Sequence, residues 1–196
     1  MSLRDNKKTR TRETLRTAAL RLFREKGFER TTVDEIAAEA GVSRTTFFRY
    51  YPTKESVVFD RGRELGEVFR RWIAERPRKE NPFEAFEGAL LALARESQSS
   101  GLAQESLELE ELFERNPALR KSRAEHRQEQ IALVAQALAD RDGGPVEAEH
   151  RLAADIGLVV SELVREQWHA SGAQIDVEAL LRDLFATVRA LTGAGR

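Results

Sequence analysis

A chain of 196 residues that is 41% hydrophobic and 33% charged, with a net charge of −1, has the composition of a soluble globular protein and not of a disordered one. It contains no cysteine, which excludes a disulfide framework, thiolate metal sites and thiol catalysis. No apolar run approaches the ~20 residues that span a bilayer, and Met1 to Arg12 lack a signal peptide's apolar stretch, so a cytoplasmic protein without membrane contact is expected.

Ala, Leu, Glu and Arg dominate and β-branched residues never alternate, so the predicted elements are helices throughout. Leu15, Ala18, Ala19, Leu22 and Phe23 repeat at helical spacing and predict a buried stripe on a first helix, which Gly27 ends. Thr32-Val33-Asp34-Glu35 is a capping-box signature and predicts a second helix from Val33 to Ala40. Gly41-Val42 forms the next turn, and Ser43 caps a third helix reaching about Tyr51, where Pro52 stops it. Thr53 is then expected to cap a long fourth helix through about Arg76.

Asn81-Pro82 opens a fifth helix, Gly101 separates a sixth, and Asn116-Pro117 opens a seventh. Asp142-Gly143-Gly144-Pro145 reads as a loop before an eighth helix to about Ala170. Ser171-Gly172 breaks the chain again and Asp176 caps a ninth. The expected fold is all-α with nine helices.

Charge divides the chain. Residues 1–55 hold 13 basic and 8 acidic side chains, a net +5, whereas residues 56–196 hold 19 and 25, a net −6. A basic first quarter on an acidic body predicts that one end meets a polyanion. The expected domains are residues 1–55, with a basic arm of Arg4, Lys7, Lys8, Arg10 and Arg12, and residues 56–196.

The segment from Thr32 to Tyr51 has helix-turn-helix spacing. Ala37 is small enough for two helices to cross closely, and four residues later Gly41 tolerates the positive φ of a sharp turn. Ile36, Ala40, Val42 and Phe47 form the expected apolar seam. Arg44, Thr45, Thr46 and Arg49 are left on the exposed side of the third helix. Arg can bond guanine O6 and N7 bidentately, and Thr offers a hydroxyl to bases and a methyl to thymine. An ordinary helical hairpin with a solvated Arg/Thr face has the same spacing.

The run Thr31-Thr32-Val33-Asp34-Glu35-Ile36-Ala37-Ala38-Glu39-Ala40-Gly41-Val42-Ser43, with Thr46-Phe47-Phe48-Arg49-Tyr50-Tyr51-Pro52-Thr53-Lys54-Glu55, resembles the DNA-binding domain of the TetR family. The resemblance covers Arg12 to Phe59, about the first quarter of the chain. It implies that Arg44, Thr45 and Thr46 read bases and that Thr32, Tyr50 and Lys54 hold phosphates. Two positions depart from the family pattern. Phe48 stands where Tyr is usual, removing a phosphate-bonding hydroxyl, and Tyr51 stands where Phe is usual.

The rest of the chain carries no further motif. Leu152, Ile156, Val159, Val160, Leu163 and Val164 on the eighth helix, and Val177, Leu180, Leu181, Leu184, Val188 and Leu191 on the ninth, make broad apolar faces. The resemblance implies a homodimer through those two helices. The aromatic residues Phe69, Trp72, Phe83, Phe86, Phe113 and Trp168 are candidates to line an effector pocket, and core packing accounts for them equally well. An apolar or aromatic effector suits them; a long-chain acyl thioester is compatible, although no residue selects it.

Glu105, Glu108, Glu110, Glu111 and Glu114 read as a solvated helix face, and His126, His150 and His169 lack metal-ligand spacing. No phosphate loop, nucleophile elbow or catalytic pair is present, so neither an enzyme nor a resident metal or cofactor is expected. The expected function is a ligand-released repressor of a palindromic operator in double-stranded DNA. The alternatives are an architectural DNA binder of low sequence preference and a helical enzyme or carrier retaining a DNA-binding head.

Overall fold

The computed structural model describes residues 3–97, 102–172 and 174–193, with side chains described except at 3–6, 61–65, 67, 97 and 102–108. The described residues form nine α-helices, one short 3-10 helix and no strand: α1 Leu3–Lys26, α2 Val33–Glu39, α3 Arg44–Tyr50, α4 Asp60–Ala74, α5 Pro82–Ser97, α6 Leu102–Arg115, α7 Pro117–Asp142, α8 Ala148–Ala170 and α9 Val177–Thr192, with the 3-10 helix at Glu55–Val57. No described helix is long and apolar enough to cross a membrane.

The predicted caps of α2, α3 and α9 are in place. Thr32 and Glu35 bond reciprocally at the start of α2, Ser43 accepts from the Thr46 amide at the start of α3, and Asp176 accepts from the Glu178 and Ala179 amides at the start of α9. Asn81 and Glu84 form a second reciprocal pair before α5. Gly27 and Gly41 take φ of 85° and 66°, the left-handed values their turns need.

Three boundaries differ from the sequence-based expectation. The basic arm is the first part of α1, where Thr11 and Thr14 return their hydroxyls to the carbonyls of Lys7 and Arg10; the Arg4 side chain lies outside the described residues. Thr53 does not start α4. Its hydroxyl instead accepts from the Ser56 amide at 3.2 Å ahead of a 3-10 turn, in which Val57 donates to the Lys54 carbonyl and Val58 to that of Glu55, an i to i+3 pattern. At the other end α4 stops at Ala74, and the Arg76 amide bonds Ile73 just before Pro77, which disfavours helix at the residue preceding it.

The chain divides into two compact units. The first comprises residues 1–64 and 108–123, so the end of α6 and the start of α7 belong with the N-terminal helices. Its core holds Leu15, Leu22, Phe23, Phe28, Ile36, Phe47, Tyr51, Val57, Phe113 and Leu119.

The second unit comprises residues 65–107 and 124–196. Here α5 packs on α8 and α9 around Phe69, Ile73, Phe86, Leu138, Val160, Leu181 and Phe185. Gly157 on α8 leaves room for the Phe86 ring, which a Cβ there would overlap. At the surface Arg95 of α5 holds Glu178 of α9 through two bonds of 3.0 and 2.7 Å. Arg95 first, then Arg182, keeps that carboxylate at about 2, well below the ordinary 4.5.

Candidate nucleic-acid interface

The first unit presents α3 on a buried anchor. Phe47 is fully buried, edge-on to Phe48 and tilted against Tyr51, while Arg44, Thr45, Phe48 and Arg49 face solvent. Val42 donates its amide to the Ala37 carbonyl at 2.9 Å, closing the turn that sets α3 against α2.

The predicted base-reading residues are not equivalent. Thr45 is exposed on α3. The Thr46 hydroxyl lies 3.0 Å from that of Ser43, within the helix cap, and the Thr46 amide donates to the same serine. The Arg49 guanidinium lies over the Tyr50 ring at 5.4 Å. Arg44 is held twice, donating to Asp34 on α2 at 2.7 Å and lying over the Phe48 ring at 5.3 Å. Sequence reasoning missed Asp34 and Phe48 as partners of Arg44. The only available signal was Asp34's place in the first turn of α2, which accounts for itself as capping chemistry.

The predicted phosphate-holding residues are Thr32, Tyr50 and Lys54. Thr32 is exposed at the α2 N-terminus and gives both its amide and its hydroxyl to Glu35. The Glu35 carboxylate is held at about 2, first by the Lys26 ammonium at 2.6 Å and then by the Thr32 amide. Tyr50 is half-buried at the end of α3. Lys54 donates to the carbonyls of Phe28 and Thr31 at 2.8 and 3.1 Å and sits 4.2 Å from the centre of the Phe28 ring. Two of its three ammonium donors therefore close the turn between α1 and α2.

Beneath α3 lies a buried polar cluster. Asp60, the first residue of α4, is 2% exposed and accepts from the Tyr51 hydroxyl and from Arg12 of α1. Burial first, and then the hydrogen bond to Asp60, pushes the Tyr51 hydroxyl well above its ordinary range. The bond to Asp60 likewise raises the Arg12 guanidinium. Tyr51 is therefore a neutral donor at any working pH.

Residues 15–60 match the family described as bacterial regulatory proteins, tetR family. Over 184 residues the chain is 32% identical to the HTH-type transcriptional regulator TcmR of Streptomyces glaucescens, covering 91% of this chain and 81% of that one. This chain belongs to the TetR family. It is a DNA-binding transcriptional regulator of an all-helical family, not an enzyme.

Among solved structures, the TetR-family repressor FadR of Thermus thermophilus, crystallised with lauroyl-CoA, is 30% identical with a TM-score of 0.51, over 89% of this chain and 91% of that one. A transcriptional regulator from a Rhodococcus species shares the fold at 22% identity and a TM-score of 0.54, over 91% and 95% of the two chains.

The aromatic residues considered for an effector pocket are not all together in this TetR-family chain. Phe69, Phe86, Phe83 and Trp72 belong to the core of the second unit, with Phe69 edge-on to Phe86 at 5.0 Å and Phe83 against Phe185 at 5.2 Å. Phe113 lies in the first unit, against Phe59 at 5.4 Å and under the Arg123 guanidinium. Trp168 is half-buried on α8, edge-on to His169.

In the acidic run, Glu110 pairs with Arg123 and Glu111 with Arg115, whereas the side chains of Glu105 and Glu108 lie outside the described residues. Among the described residues no group of three or more acidic or histidine side chains could hold a metal ion.

Proposed function

We propose that the protein is a homodimeric repressor that reads a palindromic operator with α3 and releases it when a small apolar or aromatic effector binds. The observation that carries this reading is the exposed Arg44, Thr45 and Arg49 face of α3, standing on buried Phe47. Arg44 and Arg49 suit guanine and Thr45 suits a base edge or a thymine methyl. Thr32, Tyr50 and Lys54 flank that face and suit the phosphates that fix register.

Two-fold operators call for a two-fold protein. Leu152, Val159 and Leu163 on α8 and Leu191 on α9 are exposed, at 60%, 45%, 39% and 83%. The first three share one helix face, roughly 100° around the helix from the face that buries Ala153, Val160 and Val164. Apolar side chains in that pattern support a partner's α8 and α9 as their cover.

The effector is assigned to the second unit, where Phe69, Trp72, Phe83 and Phe86 supply an apolar aromatic environment. The lauroyl-CoA held by the Thermus relative makes an acyl thioester the first effector to try. α4 contributes to both units, so an effector that favours a different placement of α4 shifts the population of DNA-competent dimers.

Selection of bound genomic fragments at physiological salt tests the reading. Recovery of one short palindrome, with half-sites ~34–36 Å apart or a multiple of that, supports it. Recovery of unrelated fragments with a steep salt dependence would instead favour an architectural binder.

A further inference from the structure

We infer that Asp34 of α2 determines DNA sequence specificity as a positioning residue, by setting the guanidinium of Arg44 for one base. The inference rests on the reading of α3 as the base-contacting helix. Asp34, in the first turn of α2, accepts from Nη1 of Arg44, the first residue of α3, at 2.7 Å. The same guanidinium lies over the Phe48 ring, 5.3 Å from its centre. Phe48 stands one turn further along α3 and is edge-on to Phe47, so the ring that carries Arg44 is itself backed by the core of the first unit.

The two contacts engage different parts of the guanidinium. The ring takes a face. Asp34 takes one corner, Nη1. Neither uses the edge where Nε–H and one Nη2–H run parallel, and that edge has no hydrogen bond among the described residues. Two parallel N–H donors are the fork that matches guanine O6 and N7. An untethered arginine spreads this fork over many rotamers, and ordering it beforehand removes that cost from binding. The tether also acts against wrong sites. On a duplex lacking guanine there, a loose arginine can swing to a phosphate and recover part of the lost contact; Asp34 and the Phe48 ring oppose that swing.

Folding stability does not account for the pair. The Arg44 and Asp34 side chains are 59% and 63% exposed, and exposed ion pairs contribute little to stability. Thr32 and Glu35 already cap α2. An acid beside a helix that approaches a polyanion opposes binding to every sequence. Asp34 therefore lowers overall DNA affinity while sharpening the preference of Arg44.

Selection from a duplex library with a randomised centre, followed by titrations on selected and substituted duplexes, tests this with the full chain. Wild type is expected to select guanine at a position where Arg44→Ala does not. Asp34→Ala should relax that same preference roughly tenfold and bind mixed-sequence DNA more tightly. In an Arg44→Ala background it should change no preference. Glu39→Ala removes an equal charge from the same helix and should leave the preference intact. A loss of stability would weaken binding to all duplexes alike, so the preference at one position separates positioning from folding.

If Arg44→Ala keeps every preference of the wild type, the base-reading assignment fails and this inference fails with it. An Arg44-dependent preference that Asp34→Ala leaves as sharp, or sharpens, overturns the inference alone, because Asp34 is then a tether that DNA breaks or merely a charge at a helix start. Equal relaxation by Glu39→Ala also overturns it, since bulk charge then explains the effect.

Discussion

The Tyr51 hydroxyl donates to the buried carboxylate of Asp60, joining the residue that closes the α3 helix to the residue that opens α4. Arg12, inside α1, donates to the same carboxylate, so three helices meet on one buried charge. Tyr51→Phe restores the residue usual in the family but leaves one carboxylate oxygen with a bond fewer. It is expected to destabilise the protein by about 1–3 kcal/mol. Asp60→Ala, which strands the Arg12 guanidinium, should cost more, about 3–5 kcal/mol. Chemical denaturation of the two variants checks this order, and equal small effects would mean the cluster is solvated in solution.

Gly157 and Phe86 set a second expectation. Alanine is favoured over glycine inside a helix by roughly 1 kcal/mol, so Gly157→Ala would stabilise an open site. Here the new Cβ overlaps the Phe86 ring, which is fully buried and has nowhere to turn. Overpacking of about 1–3 kcal/mol should win, giving net destabilisation. Thermal melts of Gly157→Ala with and without Phe86→Leu separate the two terms, because the smaller side chain should relieve the clash.

Arg44 and Lys54 are expected to fail differently. Arg44→Ala should cost ~1–3 kcal/mol of operator binding and relax preference at one base pair, without much effect on folding. Lys54→Ala should weaken binding to all sequences, flatten the salt slope by about one unit, and also lower stability. The stability loss follows from its bonds to the Phe28 and Thr31 carbonyls. Gel-shift series on operator and scrambled DNA, together with melts, distinguish the pair; identical behaviour on both DNAs would end the division between base reading and phosphate holding.

Acid should loosen the start of α2. Glu35 is held at about 2, against an ordinary 4.5, by Lys26 and the Thr32 amide. A carboxylate with a lowered value contributes stability that is fully present above 4.5 and is lost as pH falls through about 2. Glu35→Gln, which retains an acceptor but not the charge, should therefore flatten the acid side of the stability curve between those values. Hydrogen exchange at the α2 amides across that range is the direct measurement, and a variant whose curve matches the wild type would remove Glu35 from the account.

What the amino-acid sequence determined by itself is what rests on bonds between near neighbours. Thr32 with Glu35, Ser43 with Thr46, Asn81 with Glu84 and Asp176 with Glu178 all pair within three residues, so the nine helices and most of their starts were legible. Gly27 and Gly41 mark their turns for the same reason, because a positive φ is a property of the residue. The start of α4 escaped, since Thr53 caps a 3-10 turn and an α-helix with the same chemistry.

Only the tertiary structure decided the longer-range pairings. Arg44 meets Asp34 ten residues away, Lys54 reaches Phe28, Arg12 reaches Asp60, and Phe113 joins the N-terminal core although it lies beyond residue 100. Such contacts depend on which helix faces are covered, and covering is settled by packing between segments far apart in the chain, which no local pattern encodes.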